Sequence, residues 1–287
     1  MSYLLLAITV LSWGCSWYAI TLQVAYAPPI VSVAYRFALA GIVLLGALAI
    51  TGHLRVIPRR DHIWVAALGA TFFSLNFICY YTAADDIPSG VMSVIFATAA
   101  IIGAINQRVF LGVPLDMRVM VAAAIGVTGL VLLIGPEAQS GGRAVIGALA
   151  LCFLGTWFFS VGGLISSRVG ARYAMPNVAG QGMLYGVLIC SVIAAIRGDA
   201  FVVPSQPVFW YALLFLAIVS SVIAFVAYLA LIRREGPIRA SYATVLFPVI
   251  AMALSGLLEG YVWTWTSVFG LALTLIGTIV VFSRKSP

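Results

Sequence analysis

Apolar segments about 20 residues long recur from one end of the chain to the other, with only short polar breaks between them. A bilayer core requires roughly 20 apolar residues for each helical span. Ten such segments are present, at about 3–26, 30–50, 63–84, 88–111, 119–135, 144–166, 177–196, 208–231, 238–258 and 266–283. The sequence therefore predicts an all-α integral membrane protein with ten transmembrane helices.

Composition leaves little room for a soluble domain beside these segments. Hydrophobic residues make up 63% of the chain and charged residues 8%, and the mean hydropathy is +1.15, whereas a soluble domain carries about 25% charged residues. The longest polar break, Thr51 to His62, has an ordinary loop length. The first segment lacks the basic region of a signal peptide and is too long for one, so we expect it to be retained.

Basic residues predict the orientation. Most of the 15 lysine and arginine residues fall in the breaks after spans 2, 4, 6 and 8 and at the carboxyl terminus, while the alternate breaks hold only Arg143 and Arg197. Positive charge gathers on the cytoplasmic side of membrane proteins. Both termini are therefore expected in the cytoplasm, and the net charge of +7 needs no nucleic-acid partner to explain it.

A weak internal repeat relates the two halves. Sliding the chain against itself aligns Tyr80 with Tyr228, together with a phenylalanine pair and two glycine pairs. Spans 1–5 then match spans 6–10, which predicts one repeat over residues 1–137 and a second over 144–287. An odd number of spans makes the two copies inverted, a recurrent plan of secondary transporters whose substrate site lies near the midplane.

Four segments carry a family resemblance: TVLSWGCSWYAI in span 1, PPIVSVAYRFALAG entering span 2, YYTAADDIPSGVMSVIFATAAIIGAI across spans 3 and 4, and LFPVIAMALSGLLEG in span 9. In this order they resemble the drug/metabolite transporter superfamily, in its ten-span EamA branch, and within it the aromatic-amino-acid exporters of the YddG type. The chain departs from the family pattern at Ala99, where a proline is common, and at Leu111-Gly112, where a Gly-Glu pair is common.

Aromatic side chains recur at helical spacing in the spans expected to surround a cavity. The candidate cavity walls are Trp13, Trp17, Tyr80, Trp157, Tyr228 and Tyr242, with Asn76 as a polar contact one turn before Tyr80. The same faces would also suit packing between helices or a place in the interfacial belt. A neutral amide at membrane depth needs a hydrogen-bonding partner, which favours a site at Asn76.

Arg36 is the one charged residue between Ile30 and Ile50. It lies about 9 Å from the outer end of its span, at about 1.5 Å per residue. Two interpretations remain open from the sequence. The side chain either pairs internally or snorkels to the outer interface, or it faces a cavity and binds a carboxylate, whose geometry a guanidinium matches well. The resemblance implies a role at this position without saying which.

Several kinds of chemistry find no support in the residues. No Asp or Glu lies in the middle of a span, and both histidines, His53 and His62, lie in the break after span 2, so we predict no proton relay. There is no phosphate-binding loop, no pairing of a nucleophile with a base, and no cysteine or histidine spacing typical of a metal site. We therefore expect neither an enzyme nor a bound cofactor or metal.

The resulting hypothesis is a multi-pass carrier of the bacterial inner membrane. It would export small amphiphilic metabolites, most of all amino acids including aromatic ones, by alternating access and facilitated diffusion, with bends at Pro88, Pro237 and Pro248. Its partners would be the small-molecule substrate and the lipid bilayer. Alternatives are another cargo, namely a drug-like cation, a nucleoside or a sugar conjugate, a lipid flippase or scramblase, or a membrane partner protein without transport activity.

Overall fold

The computed structural model describes residues 2–140 and 142–282, with the side chains of 136–140, 237–239 and 282 outside that description. The described residues form helices and no strand. Eight helices are long and apolar enough to cross a membrane, and two shorter apolar helices follow them. The prediction of an all-α protein with ten helices is confirmed.

The ten helices follow the predicted spans closely. They are α1 Ser2–Val24, α2 Pro29–Ile50, α3 Arg59–Ala83, α4 Ser89–Leu111, α5 Met117–Ser140, α6 Gly142–Gly170, α7 Met175–Arg197, α8 Pro207–Gly236, α9 Tyr242–Leu258 and α10 Trp265–Phe282.

Proline and glycine set several of the helix ends. Pro29 and Pro207 are the first residues of α2 and α8, where the missing N–H costs no intrahelical hydrogen bond. Gly112 and Gly198 follow α4 and α7 with φ of 71° and 75°, the left-handed conformation that closes a helix and that glycine adopts without strain.

The prolines expected to bend helices have different outcomes. Pro248 lies inside α9, which is one continuous helix, and a bend at this residue stays a prediction. Pro88 does not bend a helix, because it immediately precedes the first residue of α4, where proline is compatible with a helix start. Pro237 falls outside the described side chains; the neighbouring Gly236 has non-helical backbone angles, with φ of 81°.

Helix packing follows the same pattern in both halves. α1 packs against α8 and α9, and α6 packs against α3 and α4; α2 packs against α7, and α5 against α10. The two halves can be exchanged by replacing α1–α5 with α6–α10 and the reverse. This exchange converts the contacts of α1 into those of α6, and it leaves the α2–α7 and α5–α10 contacts unchanged. Two five-helix repeats would produce this pattern, and the inversion of one repeat relative to the other stays a prediction.

α5 and α10 approach each other through glycine. A Cβ atom on Gly129 of α5 would lie 2.5 Å from the backbone nitrogen of Thr274, and one on Gly270 of α10 would lie 2.6 Å from the carbonyl oxygen of Gly129. Small residues let the backbones of membrane helices come this close. The α5–α10 pair is therefore tightly packed beside the remaining eight helices.

Three interruptions lie within the spans. α3 contains a π-helical segment, Thr71–Leu75, and α8 contains another, Phe215–Ile223. The alignment that matches Tyr80 with Tyr228 also matches the first segment with the end of the second. α4 is broken at Thr98, between Ser89–Ala97 and Ala99–Leu111, although the proline common at position 99 in the resembling family is absent.

Candidate functional site

A cavity of about 580 Å³ lies in the middle of the bundle, within the size range of small-molecule sites. Its described lining comes from every helix except α5 and α10. At one end it reaches Gln107 near the end of α4, Ser167 in the last turn of α6 and Thr244 in the first turn of α9. At the other end, on α1 and α2, the lining stops at Ile20 and Arg36. The cavity thus extends toward the end of the bundle that carries the basic breaks.

Aromatic rings form the walls of this cavity. Trp17 is 7% exposed, and its ring lies 4.9 Å from Tyr80, 5.5 Å from Phe96 and 6.2 Å from Phe247, between centroids. Such distances are typical of favourable aromatic pairs. The resulting wall has broad apolar faces, which suit a flat or bulky apolar group.

Trp13 and Tyr228 form a second aromatic wall. Their ring centroids are 5.0 Å apart, and the indole Nε1 of Trp13 donates a hydrogen bond of 3.3 Å to the backbone oxygen of Ser220 in α8. The hydroxyl of Tyr80 is hydrogen-bonded to Thr156 Oγ1 of α6. Tyr80 therefore supplies its ring to the cavity while its polar end joins two helices.

Two of the predicted wall residues lie elsewhere. Trp157 is 38% exposed and Tyr242 is 46% exposed, and neither is among the cavity lining. α6 contributes Phe159 and Ser160 to the cavity instead, so the predicted stripe through Trp157 is rotated away from it. The other predicted residues, Trp13, Trp17, Arg36, Asn76, Tyr80 and Tyr228, all line the cavity.

Arg36 is 4% exposed and lies among polar and aromatic groups. Its Nε donates to Ser221 Oγ at 3.1 Å, and its Nη1 donates to the Tyr81 hydroxyl at 3.4 Å. The guanidinium carbon lies 4.6 Å from the ring centroid of Phe77 and 5.3 Å from that of Phe37, within cation–π range. The side chain thus lies inside the bundle and does not snorkel to the outer interface.

No carboxylate neutralises this charge within the part of the chain that the structure describes. The ion pairs there join arginines to Asp61 and to Asp199, and none includes Arg36. A guanidinium has five N–H donors, and most of those of Arg36 have no protein acceptor among the described hydrogen bonds. A buried charge without a counter-charge is costly, so the site favours an anionic group entering the cavity.

Two further residues of the cavity lining carry buried polar atoms with unused hydrogen-bonding capacity. Asn76 is 1% exposed and Ser220 is 3% exposed, and both line the cavity. Asn76 Oδ1 and Ser220 Oγ have no hydrogen-bond partner among the described protein atoms. The sequence pointed to Asn76 and missed Ser220. The Ser220-Ser221 pair inside the apolar run of span 8 was the available signal.

Glu259 and Ser89 are joined beyond the end of the cavity that lies away from the basic breaks. Oε2 of Glu259, which follows α9, accepts hydrogen bonds from the backbone nitrogen of Ser89 at 3.0 Å and from its hydroxyl at 2.7 Å. Ser89 is the first residue of α4, where a carboxylate is stabilised by the unpaired N–H groups of the helix. We call this contact the outer cap, because the positive-inside rule predicts that this end of the bundle faces outside.

The loop between α2 and α3 is attached to the second half of the chain. Asn177 of α7 accepts a hydrogen bond from the backbone nitrogen of Arg55 at 2.6 Å and donates one to the backbone oxygen of His53 at 3.1 Å. The Tyr173 hydroxyl donates to Asp61 at 2.6 Å, and this hydrogen bond raises the pKa of Tyr173. These contacts join the α2–α3 loop to α7 and the start of α3 to the loop that precedes α7.

The described residues contain no group of three or more His, Cys, Asp or Glu side chains that could hold a metal ion. The polar groups of the cavity are a guanidinium, amides and hydroxyls. Such groups bind and orient a ligand by hydrogen bonding, and they supply no strong nucleophile–base pair.

Comparisons with known proteins agree with this architecture. The profile of the EamA-like transporter family matches residues 1–135 and 146–283. The inner membrane transporter YedA of Escherichia coli K12 is 30% identical over 94% of this chain and 86% of its own length. A transporter of Archaeoglobus fulgidus is 25% identical, over 99% of both chains.

One solved structure has the same fold. It superposes with a TM-score of 0.69 and 20% identity, and the match covers 97% of this chain and 95% of that one. At this identity the likeness concerns the fold alone.

Proposed function

Since the chain belongs to the EamA-like transporter family, we propose that it exports small amphiphilic metabolites, most of all amino acids including aromatic ones, by facilitated alternating access. The observation that carries the proposal is a charged arginine without a carboxylate partner in a cavity walled by aromatic rings. An aromatic amino acid offers both complements, a carboxylate for the guanidinium and a ring for the wall.

The charge of the cavity decides between cargoes. Arg36 is the one lining residue with a charge, and the lining contains no Asp, Glu or His among the described residues. A drug-like cation would meet an unfavourable positive field there. The lining also offers no titratable carboxylate or imidazole to carry a coupled proton, which supports a facilitated mechanism.

The direction of transport is proposed from the two ends of the cavity. It extends toward the basic breaks, which the positive-inside rule assigns to the cytoplasm, and we infer that the outer cap, with its two hydrogen bonds, closes the other end. Cargo would enter from the cytoplasm, and opening of the outer cap would release it outside. Exchange of these two states around one site is alternating access.

The experiment is radiolabelled counterflow in proteoliposomes that contain this protein alone, without an imposed ion gradient. Preloaded phenylalanine, threonine or methionine should drive uptake of the same labelled amino acid, and a quaternary ammonium should not. Arg36→Gln should reduce exchange at least about tenfold, because a hydrogen bond to a charged group contributes about 1.5–3 kcal/mol.

The matched control is Arg143→Gln. Arg143 is exposed and lies in a break predicted to face outside, so its removal does not weaken the predicted orientation. Equal exchange by the wild type and Arg36→Gln would reject the carboxylate site. Exchange that requires a proton gradient would reject the facilitated mechanism, and absence of any amino-acid exchange would reject the cargo.

A further inference from the structure

The amide of Asn76 is held in one orientation by its own helix. Its Nδ2 donates to the backbone oxygen of Phe72 at 3.3 Å. The opposite assignment of the amide would turn an oxygen toward that carbonyl oxygen, so the hydrogen-bond network selects this one. Oδ1 is left as a buried, unpaired acceptor in a residue that lines the cavity and is 1% exposed.

Ser220 of α8 lines the same cavity. Its backbone oxygen is used by Trp13 Nε1, whereas its Oγ is buried and unpaired. The neighbouring Ser221 also lines the cavity and donates to the backbone oxygen of Leu216, five residues earlier. Both serines lie in the π-helical segment Phe215–Ile223, and such segments are often found at functional sites.

Both unpaired atoms belong to residues next to the contacts of Arg36. Phe77, which follows Asn76, lies under the guanidinium at 4.6 Å. Ser221, which follows Ser220, accepts the hydrogen bond from Arg36 Nε at 3.1 Å. The positive donor and the two residues with neutral acceptors line the same cavity, and they come from α2, α3 and α8.

We propose that Asn76 Oδ1 and Ser220 Oγ accept hydrogen bonds from the ammonium group of the cargo while Arg36 binds its carboxylate. The inference rests on the proposed amino-acid cargo and extends it to the second charged group of the molecule. An ammonium has only donors to offer, and the two unpaired atoms can accept. Leaving them unpaired in a buried site costs free energy.

This arrangement predicts an order of affinities. The acceptors are neutral and Arg36 is positive, so an amine without a carboxylate meets a net unfavourable field. A carboxylic acid without an amine satisfies Arg36 and leaves Asn76 and Ser220 unpaired. We therefore expect phenylalanine to bind most tightly, 3-phenylpropionate more weakly and 2-phenylethylamine weakest of all.

The test measures binding of these three compounds to purified protein in detergent, by displacement of labelled phenylalanine. In Asn76→Ala and Ser220→Ala the affinity for phenylalanine should fall about tenfold or more, and the affinity for 3-phenylpropionate should change less than about twofold. The control is Ser255→Ala, which removes another buried hydroxyl without a partner, outside the cavity lining. It should change neither affinity.

The outcomes separate this inference from the proposed function. If Asn76→Ala and Ser220→Ala lose equal affinity for phenylalanine and for 3-phenylpropionate, these residues only form part of the cavity wall, and the ammonium site is rejected. Phenylalanine and 3-phenylpropionate binding equally to the wild type would reject it too, with the amino-acid carrier intact. Failure of the wild type to bind phenylalanine would instead reject the cargo. Thermal unfolding of each variant shows whether it is folded.

Discussion

Trp17 and Trp157 are both predicted to line the cavity, but they have different surroundings. Trp17 lies between three aromatic rings at the cavity, and Trp157 is 38% exposed beside Phe158. Trp17→Ala should lower the free energy of unfolding by about 3–5 kcal/mol, because a large buried ring leaves a void, and should abolish counterflow. Trp157→Ala should change counterflow less than twofold. Counterflow and thermal unfolding of both variants measure this, and equal losses of transport would contradict the assignment of the wall.

The residues of the site differ in how visible they are in the sequence. Arg36 stands out because a lone charge in an apolar span demands an explanation, and Asn76 stands out for a similar reason. Ser220 does not, since serine is tolerated in membrane helices in many roles. Trp157 misleads because helical spacing identifies a face without saying what that face contacts, and Phe159, two residues further along and on nearly the opposite side of α6, lies at the cavity.

At the scale of helices, α4 and α9 are joined at the outer cap by a carboxylate with two hydrogen bonds. Glu259→Gln keeps the size of the side chain and removes its charge, so both hydrogen bonds weaken. The variant should open the outer side more often. Ser32, in the first turns of α2 and 0% exposed, is a suitable reporter.

The measurement places a cysteine at Ser32 in a variant whose four native cysteines are replaced by alanine. Glu259→Gln should raise the rate of its reaction with an externally added, membrane-impermeant maleimide several-fold. Glu137→Gln, a change of the same kind elsewhere in the chain, is the control. An unchanged rate in Glu259→Gln would show that the cap does not hold the outer side closed.

The spans themselves were predictable, because each needs about 20 apolar residues and the breaks are polar. Their interruptions were less so. The π-helical segments Thr71–Leu75 and Phe215–Ile223 consist of residues that an ordinary helix also accepts, so packing around the cavity decides their geometry. The break at Thr98 occurs without a proline at the next position, whereas Pro248 leaves α9 as one continuous helix.

At the scale of the whole molecule, both halves of the chain contribute residues to the site. Arg36 comes from α2 and Asn76 from α3, in the first half, and Ser220 comes from α8 in the second. A cavity between two halves can change its open side if they rock against each other. The α5–α10 pair, which contributes no described lining residue and packs through glycine, is expected to move as one unit.

The orientation of the whole chain is the remaining premise of export. Positive residues predict that the α6–α7 loop faces the cytoplasm and the α7–α8 loop faces outside. Ala171 and Ala200 are exposed in these two loops, so cysteines at the two positions form a matched pair in the variant without native cysteines. In intact cells an impermeant maleimide should label Ala200→Cys, and it should label Ala171→Cys only after permeabilisation. The reverse labelling pattern would mean that the open end of the cavity faces the external solution. The site itself would be unchanged, so the proposed direction of transport would become uptake instead of export.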